Sequence, residues 1–362
     1  MQLRVTVCIR LGRINWNLAC GRLILPLMKL SQRILTLGVA VPVFIFATSA
    51  TVKAQKPDSP VDATGHFHIA LPNQNGAFEW SASGYSIAQM TVKPHGEELG
   101  VRGVNSAAKL MFIAFIFKVQ EPVDSPRVCR AGDITENIQD PDIKVVGKTE
   151  IASSWGSSVP LVEYARANAS GEVQPAVAAF VGAGRTCASI EFTGENGVHL
   201  GDPAITTIIQ SMRYAPDYAP QFRDVFLYGQ IFYEKKNYKE AAPYFEQAIH
   251  LLGNDAEAQK WRRAATDQAG IAYGISGNLQ ASRALFEAAI AKDPDYPMYY
   301  YNLACADAAE KNLAGAKQHL QQAFERKANV IAGESLPDPK TDDSFTPYKS
   351  DTQFWSFVSG LK

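Results

Sequence analysis

Apolar positions follow two different rhythms along this chain of 362 residues. Before about residue 215 they alternate or gather in short runs rich in β-formers: His66 to Leu71, Tyr85 to Val92, Leu110 to Val119 and Ala176 to Val181. A period of two puts one set of side chains on one face of an extended segment, so these runs predict strands. Turn-forming clusters separate them, Leu71-Pro72-Asn73-Gln74-Asn75-Gly76 and Thr193-Gly194-Glu195-Asn196-Gly197, and Asp202 to Met212 reads as one helix. The fold class this predicts for 56–215 is α+β, built on an antiparallel sheet.

The rhythm breaks at Tyr214-Ala215-Pro216-Asp217-Tyr218-Ala219-Pro220, where two prolines mark the expected domain boundary. The remainder, 216–362, is helical in pattern and repeats itself. One unit carries Gly229, Phe232, Tyr238, Ala241, Phe245 and Ala248. The next carries Gly270, Tyr273, Gly277, Ser282, Phe286, Ala289 and Pro294, and a third carries Leu303, Ala304, Leu313, Ala316, Leu320 and Ala323. The offset from Gly229 to Gly270 is 41, and that from Gly270 to Ala304 is 34. Small residues at these places let two helices approach closely while Phe232 and Phe245 fill the space between them. Each hairpin leaves an apolar stripe that only a neighbour can bury, so about three are needed for a stable array. The expected units are 222–255, 263–296 and 297–330.

Composition changes the picture at the N-terminus. With 46% hydrophobic and 20% charged residues the chain is ordinary for a folded protein. Its length suggests two domains. The stretch 1–54, however, holds seven bases (Arg4, Arg10, Arg13, Arg22, Lys29, Arg33 and Lys53) and no acid. Met28, the bases Lys29 and Arg33, an apolar run from Ile34 to Ala47, and Val52-Lys53-Ala54 have the layout of a secretory signal. The expectation is a signal peptide over 28–54 cleaved after Ala54, preceded by a mis-called extension at 1–27. The alternative is an uncleaved anchor, although the apolar run is shorter than the roughly 20 residues of a membrane span. Without those seven bases the chain has 28 basic against 36 acidic residues, a net charge of −8. Polyanion binding needs Lys and Arg to displace counterions, so no nucleic-acid partner is expected.

Of five cysteines, Cys8 and Cys20 fall in the basic N-terminal stretch, leaving Cys129, Cys187 and Cys305. In an oxidising compartment Cys129 and Cys187, which share the first domain, pair if their Cα atoms come within about 7 Å. The alternative is two separate buried thiols.

The helical part resembles the tetratricopeptide repeat family over about 222 to 330. The resemblance is carried by Gly270-x-x-Tyr273, Ser282-x-x-x-Phe286, Ala289 and Pro294 in the second unit. It departs from the family pattern at Val225, where a larger residue is usual, and at Asp307, where an aromatic is usual. Seven extra residues, Ala256 to Arg262, lengthen the first junction and predict that the first hairpin splays. The resemblance implies an all-α solenoid whose first helices line a groove for an extended peptide or partner helix. The implied groove residues are Phe226, Gln230, Tyr233, Asp267 and Tyr301. Phe226 and Gln230 stand where the carboxylate-clamping members carry Lys and Asn, so binding of a chaperone-type tail is not expected. Each groove aromatic has a second reading, packing on a neighbouring hairpin. The tail from Glu334 to Lys362 ends in Phe354-Trp355-x-Phe357-Val358, an apolar stripe that predicts a last short helix capping the array. The first domain faintly resembles PsbP-type α/β/α sandwiches in its strand and helix order. That family consists mostly of assembly and accessory proteins.

Chemistry-bearing motifs are sparse. His66-Phe67-His68 places two imidazoles on one face of a strand, but a metal site needs a third ligand such as His95 or His199, and no metal or cofactor is expected. Ser153-Ser154-Trp155-Gly156-Ser157-Ser158 lacks the G-x-S-x-G elbow of a hydrolase and reads as a turn. Gly182-Ala183-Gly184-Arg185 lacks the lysine of a phosphate loop and reads as a hairpin bend. Asn168-Ala169-Ser170 fits a glycosylation sequon that carries no meaning in a bacterial protein. Two classes of function follow. One is an exported, non-enzymatic scaffold or adaptor holding a protein or peptide partner, periplasmic or extracellular, with no stable membrane span once the signal is removed. The other is an exported enzyme or small-molecule sensor with its site in 56–215, around His66, His68 and Glu97.

Overall fold

The structure is a computed structural model that describes residues 65–167 and 172–362, together with a short antiparallel pair of strands, Thr6–Cys8 (β1) and Cys20–Arg22 (β2). The rest of 1–27, the signal expected at 28–54 and the sequon at 168–170 lie outside the described residues.

An antiparallel sheet dominates the first region. Its members are β5 (Ser86–Val92), β6 (Glu98–Asn105), β7 (Leu110–Val123), β8 (Ile143–Ala152), β9 (Ser158–Ala167) and β10 (Val173–Gly194). They lie in the order β5-β6-β7-β10-β9-β8. The first arm of β10 pairs with β9 and its second arm with β7. The two arms are antiparallel to each other. A Cβ on Gly182 would sit 2.5 Å from the Thr186 carbonyl oxygen and 3.2 Å from Cys187 Cα, a proximity that requires the chain to reverse. Gly184, at φ +63, supplies the left-handed residue of that bend. The hairpin expected at Gly182-Ala183-Gly184-Arg185 is therefore present.

Alternation along β7 sorts its side chains. Leu110, Phe112, Ala114 and Ile116 are buried on one face. That face meets a second, three-stranded sheet in the order β11-β4-β3: Arg213–Ala215 (β11), Ala77–Ser81 (β4) and His66–Ala70 (β3). Between them Phe67 stacks on Trp80 at 5.3 Å, and both present edges to Phe112. The helix Pro203–Ser211 (α2), begun by Asp202 accepting from the Ala204 amide, buries Ile205, Ile208 and Ile209 in the same core. On the sheet's other face the helix Pro126–Asn137 (α1) covers Tyr164, Phe180 and Cys187. There the Cys129 and Cys187 sulfurs form a disulfide, with Cα atoms 5.6 Å apart. The serine-rich segment is the expected turn, closed by Ser153 Oγ accepting from the Trp155 and Ser157 amides.

The second region is a run of helical hairpins: Phe222–Glu234 (α3) with Tyr238–His250 (α4), Ala256–Ile275 (α5) with Leu279–Lys292 (α6), and Pro297–Ala309 (α7) with Leu313–Glu325 (α8). Thr352–Gly360 (α9) packs Phe354 and Val358 against Leu320 of α8, as the apolar stripe predicts. Close helix approach rests on glycine. A Cβ on Gly270 would lie 2.1 Å from the Phe286 ring, and one on Gly229 would lie 3.0 Å from Phe245. Each hairpin bend also places one residue in the left-handed region: Lys236 at φ 59, Gly277 at φ 89 and Lys311 at φ 61. An asparagine follows each of them, and the bends are spaced as the apolar pattern is.

The seven extra residues do not splay the first hairpin. They form the opening turns of α5 and bring Trp261 onto Phe222 and Phe226, at 5.4 and 5.6 Å between rings. Nor do the two prolines mark a loose joint. Gly76 N donates to the Tyr218 carbonyl, Tyr228 OH donates toward the Lys93 and Glu98 carbonyls, and Gln247 Nε2 donates to the Pro72 carbonyl. One hydrophobic core runs from Phe67 and Trp80 of the sheets to Phe245 and Ala272 of the helices.

Candidate functional site: the inner wall of the repeats

The first helices of the three hairpins, α3, α5 and α7, follow one another, and their facing stripes can be read from helical spacing. Phe226, Gln230 and Tyr233 recur at i, i+4 and i+7 on α3, and Asp267 and Ile271 at i and i+4 on α5. Asp267 accepts a short hydrogen bond from Asn302 Nδ2 of α7. Its carboxyl also raises the pKa of Tyr233 on α3, behind the larger effect of burial. The acid thus ties α5 to α7.

Three of the residues expected to line an open groove are interior. Phe226 is buried because Trp261, from the lengthened α5, closes over it beside Phe245. Asp267 is 4% exposed and bonded by Asn302 of α7. Tyr301 is 1% exposed, its hydroxyl donating to Asp342 at 2.9 Å and its ring meeting Phe345 edge-on. Phe226 thus packs on the neighbouring hairpin, whereas Tyr301 packs on the segment that follows α8. Gln230 and Tyr233 stay partly exposed, although the Tyr233 ring rests on Tyr238 and Phe245. Ile271, which sequence reasoning passed over, is partly exposed on the Asp267 stripe.

The segment after α8 accounts for the covered part. Asn329 offers its carbonyl to Arg263, whose guanidinium also grips Asp293 at 2.6 and 2.9 Å. Ile331 and Leu336 pack against the cluster of Phe286, Tyr296, Met298, Tyr299 and Leu303. Glu334 accepts from Tyr296 OH at 2.9 Å and from the Ile331 amide. Asp342 and Phe345 then hold Tyr301. Asn302, Glu334 and Asp342 escaped sequence reasoning, but Tyr301 and Asp267 are separated by the offset of the second and third units, so both occupy one register position and each faces the next element of the array.

Burial first, and the Glu334 carboxyl second, push Asp267 up to about 7, against the opposing Asn302 bond. Burial likewise raises Glu334, opposed by its bond from Tyr296. Asp307, which departs from the family's aromatic, behaves differently. Burial alone would raise it, but bonds from His319 at 2.6 Å and Arg283 at 2.8 Å prevail and hold it below the ordinary carboxylate value. It ties α7 to α6 and α8, as Tyr273, at the equivalent place in the second unit, ties α5 to Glu246 of α4.

No group of three or more potential metal ligands exists among the described residues. His68 Nε2 lies 2.8 Å from Asp224 Oδ1 and 3.0 Å from Tyr218 OH, and Tyr218 OH donates to the other oxygen of Asp224. The carboxylate that meets His68 therefore belongs to α3, not to Glu97, and the contact ties sheet to helix. His199 instead bonds Glu163.

Residues 225–251, which form most of the first hairpin, match the tetratricopeptide repeat family model. This hairpin repeats in α5–α6 and α7–α8 with the same bends, and in the first two hairpins a glycine of the first helix packs on a phenylalanine of the second. Tetratricopeptide hairpins of this kind typically serve as protein-interaction modules rather than as catalysts. Among solved structures, PcrH from Pseudomonas aeruginosa is 12% identical, over 39% of this chain and 90% of that one, with a TM-score of 0.28. A Bacteroides thetaiotaomicron protein is 10% identical, over 55% and 77%, with a TM-score of 0.23. Likeness at these TM-scores carries no argument about function. No curated protein matches the chain. No helix among the described residues is long and apolar enough to cross a membrane.

Proposed function

We propose that this is an exported adaptor that holds a protein partner on the inner wall of its tetratricopeptide hairpins, with the sheet region as a rigid mount. The observation that carries the reading is the array itself, three hairpins in register with partly exposed Gln230, Tyr233 and Ile271 on one wall. Export is supported by the basic and apolar leader and by the Cys129–Cys187 disulfide, a bond that persists in oxidising compartments. An acidic chain, −8 without the stretch 1–54, suits a basic or neutral protein partner better than a nucleic acid. The α3–α5 part of the wall is the part left for a partner, because the segment after α8 covers α7.

The test is capture from cell-envelope extract with the chain and with a Gln230→Arg, Ile271→Lys double variant, followed by mass spectrometry. The expected result is a specific protein retained by the parent and lost at least tenfold by the variant. Equal retention by both would remove the groove assignment. Retention of a metabolite and no protein would replace the adaptor reading with the sensor or enzyme.

A further inference from the structure

The three-stranded sheet turns one face to the shared core. Phe67, Ile69, Phe78 and Trp80 fill that face, so alternation sends His66, His68, Glu79 and Ser81 to the outer one, where all four are partly exposed. Register then aligns them: His66 stands opposite Ser81, and Glu79 stands between His68 and Arg213. We propose that this outer face, together with Trp155, is a binding surface for an extended, uncharged oligosaccharide.

A polar row crosses all three strands. Arg213 Nε donates to Glu79 Oε2 at 2.7 Å, and at the other end His68 Nε2 lies 2.8 Å from Asp224 Oδ1. From Arg213 to His68 the row covers two interstrand spacings, about 10 Å. Beside Arg213, Trp155 stands at the turn between β8 and β9, and its side chain is 55% exposed. It is nevertheless fixed in three ways. The indole Nε1 donates to the Ser211 carbonyl, the Arg213 guanidinium lies 4.3 Å from the ring centre, and the Trp155 amide donates to Ser153 Oγ. Burial does not account for such a position, since more than half of the residue faces water. An aromatic ring held firmly in solvent loses little freedom when a ligand settles on it.

The chemistry of the row selects the ligand. Arg213 is paired with Glu79, and His68 with Asp224, so the row presents no unpaired cation to hold a phosphate or a carboxylate. A nucleic acid is disfavoured for the same reason, because a base stacked on the indole would lack a run of cations for its backbone. What the row does present is hydrogen bonding in both senses. Glu79 keeps acceptor lone pairs beyond the bond from Arg213, and the guanidinium keeps its Nη donors beyond Nε. Ser81 adds a hydroxyl that can act either way. Sugar hydroxyls match both senses without bringing charge, and the C–H face of a sugar ring matches the electron-rich face of an indole. A sheet face is a shallow platform, which suits a chain laid along it with one ring on Trp155 and the next over the row. Extended chains such as cellotetraose and chitotetraose fit that platform better than maltotetraose, which coils.

Calorimetric titration of the intact chain with these three sugars tests the surface without any protein partner. At least one extended tetraose is expected to bind about tenfold more tightly than maltotetraose. Trp155→Ala is expected to weaken that binding about tenfold, the worth of one stacked ring, and Glu79→Gln about fivefold. Trp155 lies mostly in solvent, so its loss spares the fold, and Glu79→Gln is an independent check on the row. The Gln230→Arg, Ile271→Lys variant, altered on the wall of the repeats, is expected to bind the sugar as the parent does, which separates this surface from the adaptor reading. Binding of neither extended tetraose by the parent, equal binding of maltotetraose, or undiminished binding by Trp155→Ala overturns the proposal.

Discussion

In the sheet region Glu191 lies under α1 with the Arg166 guanidinium 2.9 Å away, whereas in the helical region the deeply buried Asp267 faces the amide of Asn302. Both acids are raised by burial. Only the first has a cation bonded to it, and around it Tyr164 donates to Asp133 at 2.5 Å while a disulfide fixes α1 to β10. A buried charge with a partner and a covalent staple beside it holds one arrangement. A buried acid bonded to a neutral amide lacks that pairing, and the segment that follows α8 is held by hydrogen bonds and apolar contacts without a covalent staple. Around these two acids the sheet region is thus fastened by charge pairing and a covalent bond, and the helical region by packing and a neutral hydrogen bond.

Several substitutions bear on this contrast, beginning with the one of largest effect. Phe286→Ala removes the ring that fills the gap over Gly270 and should destabilise the helical region by about 4 kcal/mol in denaturant unfolding, with little effect on exchange in β7 and β9. Uniform weakening of both regions would show that the shared core makes them one cooperative unit. Cys129→Ala with Cys187→Ala should cost about 3 kcal/mol and speed exchange first in α1 and β10, leaving the repeats unchanged.

Smaller effects resolve the hairpins individually. Gly270→Ala forces a methyl to within 2.1 Å of the Phe286 ring and should cost about 2 kcal/mol, read as a lowered melting temperature. Arg283→Met leaves Asp307 with His319 and Asn312 as its remaining side-chain partners, at a cost of about 1 kcal/mol. Because Asp307 is held below its ordinary value when folded, its contribution is present above the ordinary carboxylate range and is lost as pH falls through the lowered value. The difference between parent and Arg283→Met should therefore shrink in acid. Lys311→Gly, at a bend where Gly277 occupies the equivalent place, should stabilise by about 1 kcal/mol or less.

Much of the architecture was legible in residue patterns because its causes are local. Alternation in β7 fixed a strand, and Gly270 with Phe286 fixed a hairpin, since each signal is written within a few residues of where it acts. The wall of the repeats was not legible in the same way. Phe226 reads as outward until Trp261 arrives from an extra stretch of helix, and Tyr301 reads as outward until Asp342 and Phe345 return from beyond the end of the third hairpin. Tertiary contacts of that range have no period to reveal them. Asp307 showed as a departure from the repeat pattern, yet its partners Arg283 and His319 lie on two other helices, so the reason for the departure emerges only from the fold.

The most direct test of the adaptor reading is a hydrogen-exchange footprint of the chain bound to the protein it captures. Slowed exchange is expected along the first helices of the hairpins, in α3 around Gln230 and Tyr233 and in α5 around Ile271, with the sheet unchanged. Protection confined to the sheet region, in β8, β9 or α1, with α3 and α5 exchanging as in the free chain, would contradict it.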